Sequence, residues 1–222
     1  MPLNKSKGNM YGFVNSTFNI IKGECKLHNC SYCYMKKWGE QKPLHFDEKE
    51  LKTDLGEGNF IFVGSSIDMF ADNVPPEWIE KVLSYCLTYP NNTYLFQTKN
   101  PLRFNQFSFR TKDTLCITLE TNYSIFDISQ APHPQIRASR FAEIAHLNKM
   151  ITIEPIINFD LFDFIRLIKL IEPYQCNIGA DSMNSNLPEP SPEKIRELII
   201  ELKKFTTVFL KPNLKRIYSD VT

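Results

Sequence analysis

The 222-residue chain has no long apolar run. No stretch approaches the roughly 18 residues that a membrane span needs. The first residues also lack the apolar core of a secretion signal, so the expectation is a soluble, cytoplasmic protein with no membrane partner. Charge of one sign is missing too: 26 Lys and Arg face 25 Asp and Glu, a formal net charge of +1. Such a chain has no long-range field to argue for nucleic acid, so any such contact must come from a local patch. There is no internal repeat, no low-complexity linker and no second group of closely spaced cysteines. These absences speak against a repeat array, a disulfide scaffold and an auxiliary metal cluster.

What remains is ordinary globular material, 42% hydrophobic and 23% charged, enough for one sizeable core. Residues 1–222 are therefore read as a single domain, with 1–16 as an irregular lead-in. Cys86, Cys116 and Cys176 each sit in an apolar run and read as small buried hydrophobes. The other cysteines, Cys25, Cys30 and Cys33, fall within nine residues of one loop. Thiolates are soft ligands for iron–sulfur clusters and for zinc, and a cysteine-only trio leaves one coordination position open. His28 lies among them, so Cys25, His28, Cys30 and Cys33 also offer a set for a structural zinc, and with it a non-catalytic binding module.

The chain around the trio alternates between two periods. Thr17 to Ile21 reads as a first strand delivering the cysteine loop, followed by a helix start at Met35 to Trp38 and a charged surface helix at Asp47 to Leu55. Phe60–Val63 and Met150–Ile153 read as strands covered on both faces, and Thr93–Gln97, Thr114–Leu119, Cys176–Ala180 and Thr207–Leu210 read as further strands. Helices are expected after Pro75-Pro76, from about Pro134 to Asn148 with Ile136, Phe141, Ile144 and Ala145 inward, after Asp160, and after the Ser191 cap with Pro192 at its first position. A short helix and turn is expected within Leu102 to Lys112. Alternation with short connections argues an α/β fold with a parallel sheet. Six units, or seven counting the last run as a strand, are too few to close, so the expected form is a partial (β/α)6 TIM-like barrel. Chemistry in such folds sits at the C-terminal strand ends, which here carry the cysteine loop, Gly64, Ser65, Ser66, Asp68, Lys99, Glu120, Glu154 and Asp181.

The trio resembles the cluster motif of the radical S-adenosylmethionine (SAM, AdoMet) enzymes, whose usual spacing is Cys-x3-Cys-x2-Cys. Here the first gap is one residue longer. The combination of Gly12-Phe13-Val14, Cys30-Ser31-Tyr32-Cys33-Tyr34, Phe62 to Phe70, Thr98-Lys99-Asn100-Pro101, Ile153-Glu154-Pro155 and Gly179-Ala180-Asp181-Ser182 is similar to a phage- and bacteria-associated group within that superfamily. The resemblance implies a [4Fe-4S] cluster held by Cys25, Cys30 and Cys33, with SAM on the open iron. It further implies reductive cleavage of SAM to a 5'-deoxyadenosyl radical that takes hydrogen from a substrate, with a nucleotide or nucleic-acid base as the candidate. An external one-electron donor of flavodoxin or ferredoxin type is the implied partner. By the same resemblance Tyr32 packs beside the adenine. The Gly64-Ser65-Ser66 turn, with Ser66 or Asp68 standing in for an absent Glu, takes the methionyl ammonium. Glu120 takes the ribose hydroxyls, Lys99 a carboxylate or phosphate, and Glu154 and Asp181 shape the pocket. Arg137, Arg140, Lys211, Lys215 and Arg216 are candidates for a basic rim.

Overall fold

A computed structural model describes residues 3–219. Its main sheet contains the short strand β1 (Asn4–Lys5), then β2 (Ser16–Phe18), β5 (Phe60–Val63), β6 (Thr93–Thr98), β7 (Thr114–Thr118), β8 (Lys149–Ile153), β9 (Gln175–Ile178) and β10 (Thr207–Leu210). Every pairing from β2 to β10 is parallel, and only β1 runs antiparallel, against β2. The order begins at β1 and ends at β10, so the sheet is open and the expected partial barrel, seventh strand included, is what forms. A separate two-stranded sheet joins β3 (Ile21–Lys22) to β4 (His45–Phe46).

Helices α1 (Pro76–Leu87), α2 (Pro134–Ala142), α3 (Leu161–Ile171) and α4 (Pro192–Leu202) connect successive strands. Three of the four begin where the caps lead one to expect. Asp160 accepts from the Asp163 amide at 2.9 Å, Ser191 accepts from that of Lys194 at 3.3 Å, and Pro76 opens α1. Their inward stripes, such as Ile195, Leu198, Ile199 and Leu202 on α4, are buried against one face of the sheet. The opposite, inner face is layered by the two-residue period of the strands. Leu95, Cys116 and Met150 make an apolar floor, Gln97, Thr118 and Thr152 follow two residues on, and Lys99, Glu120 and Glu154 come last. Polarity thus rises along each strand towards the C-terminal mouth.

Several expectations need correction. The lead-in is not featureless: it forms β1 and then lays Tyr11 and Val14 on the inner face against Phe62, Leu95, Cys116 and Met150. The run Thr17–Ile21 is split between β2 and β3, because Asn19 turns its side chain to Ser65 and Ser66 and the chain leaves the sheet there. Asp47–Leu55 yields only a 3-10 turn at Glu48–Lys52, in which Glu50 is engaged by Lys22 at 2.7 Å and by Thr53 at 3.0 Å. Helix α2 stops at Ala142, and its buried stripe is Pro134, Arg137, Ala138 and Phe141, leaving Ile136 and Ala145 exposed. A charged residue on the inward face displaced the apolar pattern. Cys86, Cys116 and Cys176 are buried free thiols, as expected of core residues.

Candidate active site

The cysteine loop leaves the sheet through β3 and returns through β4, so the hairpin clamps its base. Lys22 on β3 reaches Asp47 at 2.8 Å and Glu50 at 2.7 Å, and the Glu24 amide meets the Lys42 carbonyl at 3.0 Å. Gly23 makes this closure possible. Its φ is +111°, and a Cβ there would lie 2.6 Å from the Pro43 carbonyl oxygen.

The far side of the loop is held by the β7–α2 connection. The Ser31 amide donates to the Ile128 carbonyl at 2.8 Å, the Gln130 amide donates to the His28 carbonyl at 2.8 Å, and Cys30 Sγ lies 3.1 Å from Ser129 Oγ. Cys30 is buried, whereas Cys25 and Cys33 are half-buried; all are free thiols. Burial pushes the Cys33 thiol up, and the neighbouring Cys30 and Cys25 add to it. Among the described residues no three His, Cys, Asp or Glu side chains converge tightly enough for one metal ion. Four ligands of a single zinc would stand about 3.8 Å apart, from a Zn–S length near 2.3 Å in tetrahedral geometry. Thiolates on a cluster each bind a different iron and have no such common point, so three free thiols on one clamped loop fit the cluster by their chemistry.

His28 is buried among the cysteines, 5% exposed, with Nδ1 at 3.2 Å from Asp68 Oδ2. Burial works against its charge, yet Asp68 and then Cys25 raise the imidazole to about 10. Asp68 is in turn ringed by donors: Thr98 Oγ1 at 2.8 Å, the Lys99 amide at 2.7 Å and the Phe70 amide at 3.1 Å. His28 foremost, then these donors, hold its carboxyl below the usual range despite burial. Asp68 therefore ties the cysteine loop to the ends of β5 and β6.

A second tie runs through Tyr32, between Cys30 and Cys33. Its hydroxyl donates to Glu120 Oε1, and Glu120 Oε2 lies 2.8 Å from Arg137 Nη1, with both charged side chains at 0% exposure. Arg137 also donates to the Thr118 carbonyl at 2.6 Å. Burial alone would raise the Glu120 carboxyl, but Arg137, Lys99 and Tyr32 bring it below its ordinary value. The carboxylate expected at the ribose is enclosed by protein, and Arg137, expected on a basic rim, is the cation that makes its burial tolerable. Lys99 Nζ lies 5.5 Å from the Tyr32 ring centroid, and Cys30 and Glu120 overcome burial to raise its ammonium.

Gly64, Ser65 and Ser66 join this bank of the mouth. Gly64 has φ +77°, and a Cβ would press Met69 at 3.1 Å. Asn19 holds both Ser65 Oγ at 3.1 Å and the Ser66 amide at 3.1 Å, while the Tyr34 hydroxyl donates to the Ser65 carbonyl at 2.7 Å. Glu154 belongs to a separate cluster: Lys211, Asn9 at 2.6 Å and Asn213 at 2.7 Å all donate to it. Asp181 accepts from the Met183 amide at 2.8 Å and from the Ser185 amide, so its carboxylate shapes its own loop. The basic rim does not form as expected, since Lys211 is buried on Glu154, Arg140 pairs with Glu143 and Arg216 pairs with Glu189. Sequence reasoning missed Ser129, Asn19, Asn9, Tyr11 and Asn213. None of them lies in a spaced motif, and only three-dimensional closure brings them to the mouth.

No protein-family model matches the chain, and no curated protein sequence matches it significantly. Solved structures do share its fold. A mutant of spore photoproduct lyase with bound AdoMet and dinucleoside spore photoproduct superposes with a TM-score of 0.62 at 10% identity, covering 94% of this chain and 80% of that one. Spore photoproduct lyase complexed with dinucleoside spore photoproduct gives 0.59 at 9% identity, over 91% of this chain and 78% of that one. A further mutant of the same lyase gives 0.58 at 9% identity, over 94% and 80%.

Proposed function

We propose that the protein is a radical SAM enzyme acting on a nucleotide or nucleic-acid base. The observation that carries the reading is the placement of three free thiols on one clamped loop at the C-terminal mouth of an open parallel sheet. The same fold in spore photoproduct lyase has been solved with AdoMet and a dinucleoside lesion, which supports both the cofactor and the substrate class. When bound and reduced, a [4Fe-4S] cluster supplies the electron that splits SAM and so provides a 5'-deoxyadenosyl radical for hydrogen abstraction.

The chain's own residues have distinct tasks in this reading. Cys25, Cys30 and Cys33 hold the cluster, and the electron comes from an external carrier of flavodoxin or ferredoxin type. The Gly64-Ser65-Ser66 turn, fixed by Asn19, presents backbone to the methionyl end of SAM. Lys99 supplies the half-buried cation for a carboxylate or phosphate. Glu120 acts from below, by holding Tyr32 and so the end of the cysteine loop. Asp68 does the same for its beginning through His28. Glu154 and Asp181 order the opposite bank, where the substrate would lie. Reduced, unpaired cysteines suit a cytoplasmic address.

Anaerobic purification tests the reading. Iron and sulfide at about four each, with a broad visible absorbance bleached by dithionite, are expected. Addition of SAM should then yield 5'-deoxyadenosine, and Cys30→Ala should abolish it with the fold intact. Stoichiometric zinc in a colourless protein would overturn the proposal. Transfer of deuterium from labelled oligonucleotides or nucleotides into 5'-deoxyadenosine would identify the substrate.

A further inference from the structure

The overall charge of +1 conceals a local asymmetry on the cysteine loop. Residues 22–42 contain five Lys (22, 26, 36, 37 and 42) and two Glu (24 and 40), a net of +3, which leaves −2 for the rest of the chain. Lys22 is spent on Asp47 and Glu50, and Lys26 stands 3.3 Å from Glu24. Lys36 and Lys37 are exposed on the 3-10 turn Tyr34–Trp38 that follows Cys33, and neither makes an ion pair among the described residues. The next residue, Trp38, is 74% exposed.

This turn is anchored. The Tyr34 hydroxyl fixes its start on the Ser65 carbonyl, and Gln41 Nε2 donates to the carbonyls of Met35 at 3.3 Å and Gly39 at 3.0 Å at its end. An exposed indole on a held backbone has little freedom to lose when a flat ring stacks on it. The β7–α2 connection hydrogen-bonded to the same loop adds further exposed rings, Tyr123 and Phe126. Unpaired lysines beside exposed aromatic rings are the pairing that single-stranded nucleic acid requires, with phosphates on the cations and bases on the π-faces.

Resting on the radical SAM reading above, we infer that an unpaired stretch of nucleic acid docks across this rim, its phosphates on Lys36 and Lys37 and a base on Trp38. The rim adjoins Cys33, so a strand held there delivers a neighbouring base to the mouth. Because the rim is built from surface residues, its binding does not require the cluster, and the test can be read on protein with and without iron.

The experiment is titration of the full chain with a fluorescein-labelled oligothymidylate of about a dozen nucleotides, following anisotropy and tryptophan emission over a range of salt. Binding should quench Trp38, and Trp38→Phe should remove the quench because the only other tryptophan, Trp78, packs on Phe46. Trp38→Ala should weaken binding about fivefold or more. Lys36→Glu with Lys37→Glu should weaken it further and lower the slope of log affinity on log salt by roughly 1.4, at about 0.7 per phosphate contact on a single strand. Thermal melting should be unchanged in all three variants, since these side chains are exposed. Absence of binding at low salt, binding indifferent to the variants, or a rim that takes up an acidic flavodoxin which oligonucleotide does not displace would each overturn the inference. A chain that binds oligonucleotide through Lys36, Lys37 and Trp38 but takes up no iron sinks the radical reading alone. A chain that cleaves SAM but ignores oligonucleotides sinks this one.

Discussion

Cys30 Sγ and Ser129 Oγ lie 3.1 Å apart across a sequence separation of 99 residues, both buried. The Ala131 amide donates to the same hydroxyl at 3.3 Å, and the hydroxyl proton has two acceptors within reach, the Cys30 sulfur and the more distant His28 carbonyl at 3.4 Å. A cluster-bound thiolate has no proton of its own, so in that state Ser129 must be the donor. Hydrogen bonds to cluster sulfurs favour the more negative, reduced state and raise its potential. Ser129→Ala should therefore lower the midpoint potential of the reconstituted protein, while Ser129→Thr, which keeps the hydroxyl, should hold it near the parent value. An electron-paramagnetic-resonance redox titration measures this, with iron content as the control for loop integrity.

The Glu120–Arg137 pair leads to a stability prediction. Both side chains are enclosed, and Arg137 Nε and Nη2 have no hydrogen-bond partner, so the pair is incompletely satisfied. Removing only the cation strands a buried carboxylate, at a cost of about 3–5 kcal/mol. Arg137→Met should accordingly lower the melting temperature of the apo chain by roughly 6–20 °C, at about 2–4 °C per kcal/mol for this length. Adding Glu120→Gln should recover much of the loss, because replacing both charges removes the desolvation penalty along with the attraction. Equal melting of the single and double variants would show that the two charges do not interact.

That pair also marks what the sequence could and could not disclose. Strands and helices were legible because their apolar periods are strong and their caps explicit, as at Asp160, Ser191 and Pro192. The C-terminal strand ends follow from that pattern, and Asp68, Lys99 and Glu120 lie there, in contact with the cysteine loop through His28 and Tyr32. Their partners were not legible. Arg137 looks like surface because charge on a helix ordinarily is surface, and its inward position shows only once β7 places Glu120 beneath it. His28 looks like a ligand because it stands among cysteines, and only the fold brings Asp68 to its ring. The lead-in carries no periodicity at all, yet Tyr11 reaches the inner face and donates to Gln97 at 2.7 Å.

Asp68 should confer acid sensitivity. Its folded carboxyl titrates below its ordinary 3.8, with His28 and the surrounding donors outweighing burial. A depressed carboxyl contributes stability that is present above its unfolded value and is lost as pH falls through the folded one. The apo chain should thus lose urea resistance as pH drops below about 4. Asp68→Asn should be less stable at neutral pH and should show a shallower decline over the same window, because the group that must take up a proton is gone. Parallel declines for parent and variant would assign the acid loss to other carboxylates.

Gly179 offers the most local test, since its constraint is spatial. A Cβ at this position would lie 2.8 Å from Glu154 Oε1 and 2.9 Å from Asn213 Oδ1, closer than side-chain atoms pack. Those two residues are already fixed: Glu154 holds Lys211 and Asn9, and Asn213 donates to the Ala180 carbonyl at 2.6 Å. Neither can move without breaking one of these hydrogen bonds. Gly179→Ala should therefore destabilise the chain by about 1–3 kcal/mol, the usual cost of forcing extra volume into a packed site. Shortening the obstructing side chain relieves the clash, so Glu154→Asp should cost less in the Gly179→Ala background than in the parent. Urea denaturation of the four proteins in that cycle gives the coupling directly, and additive free energies would mean that the Cβ finds room without displacing Glu154.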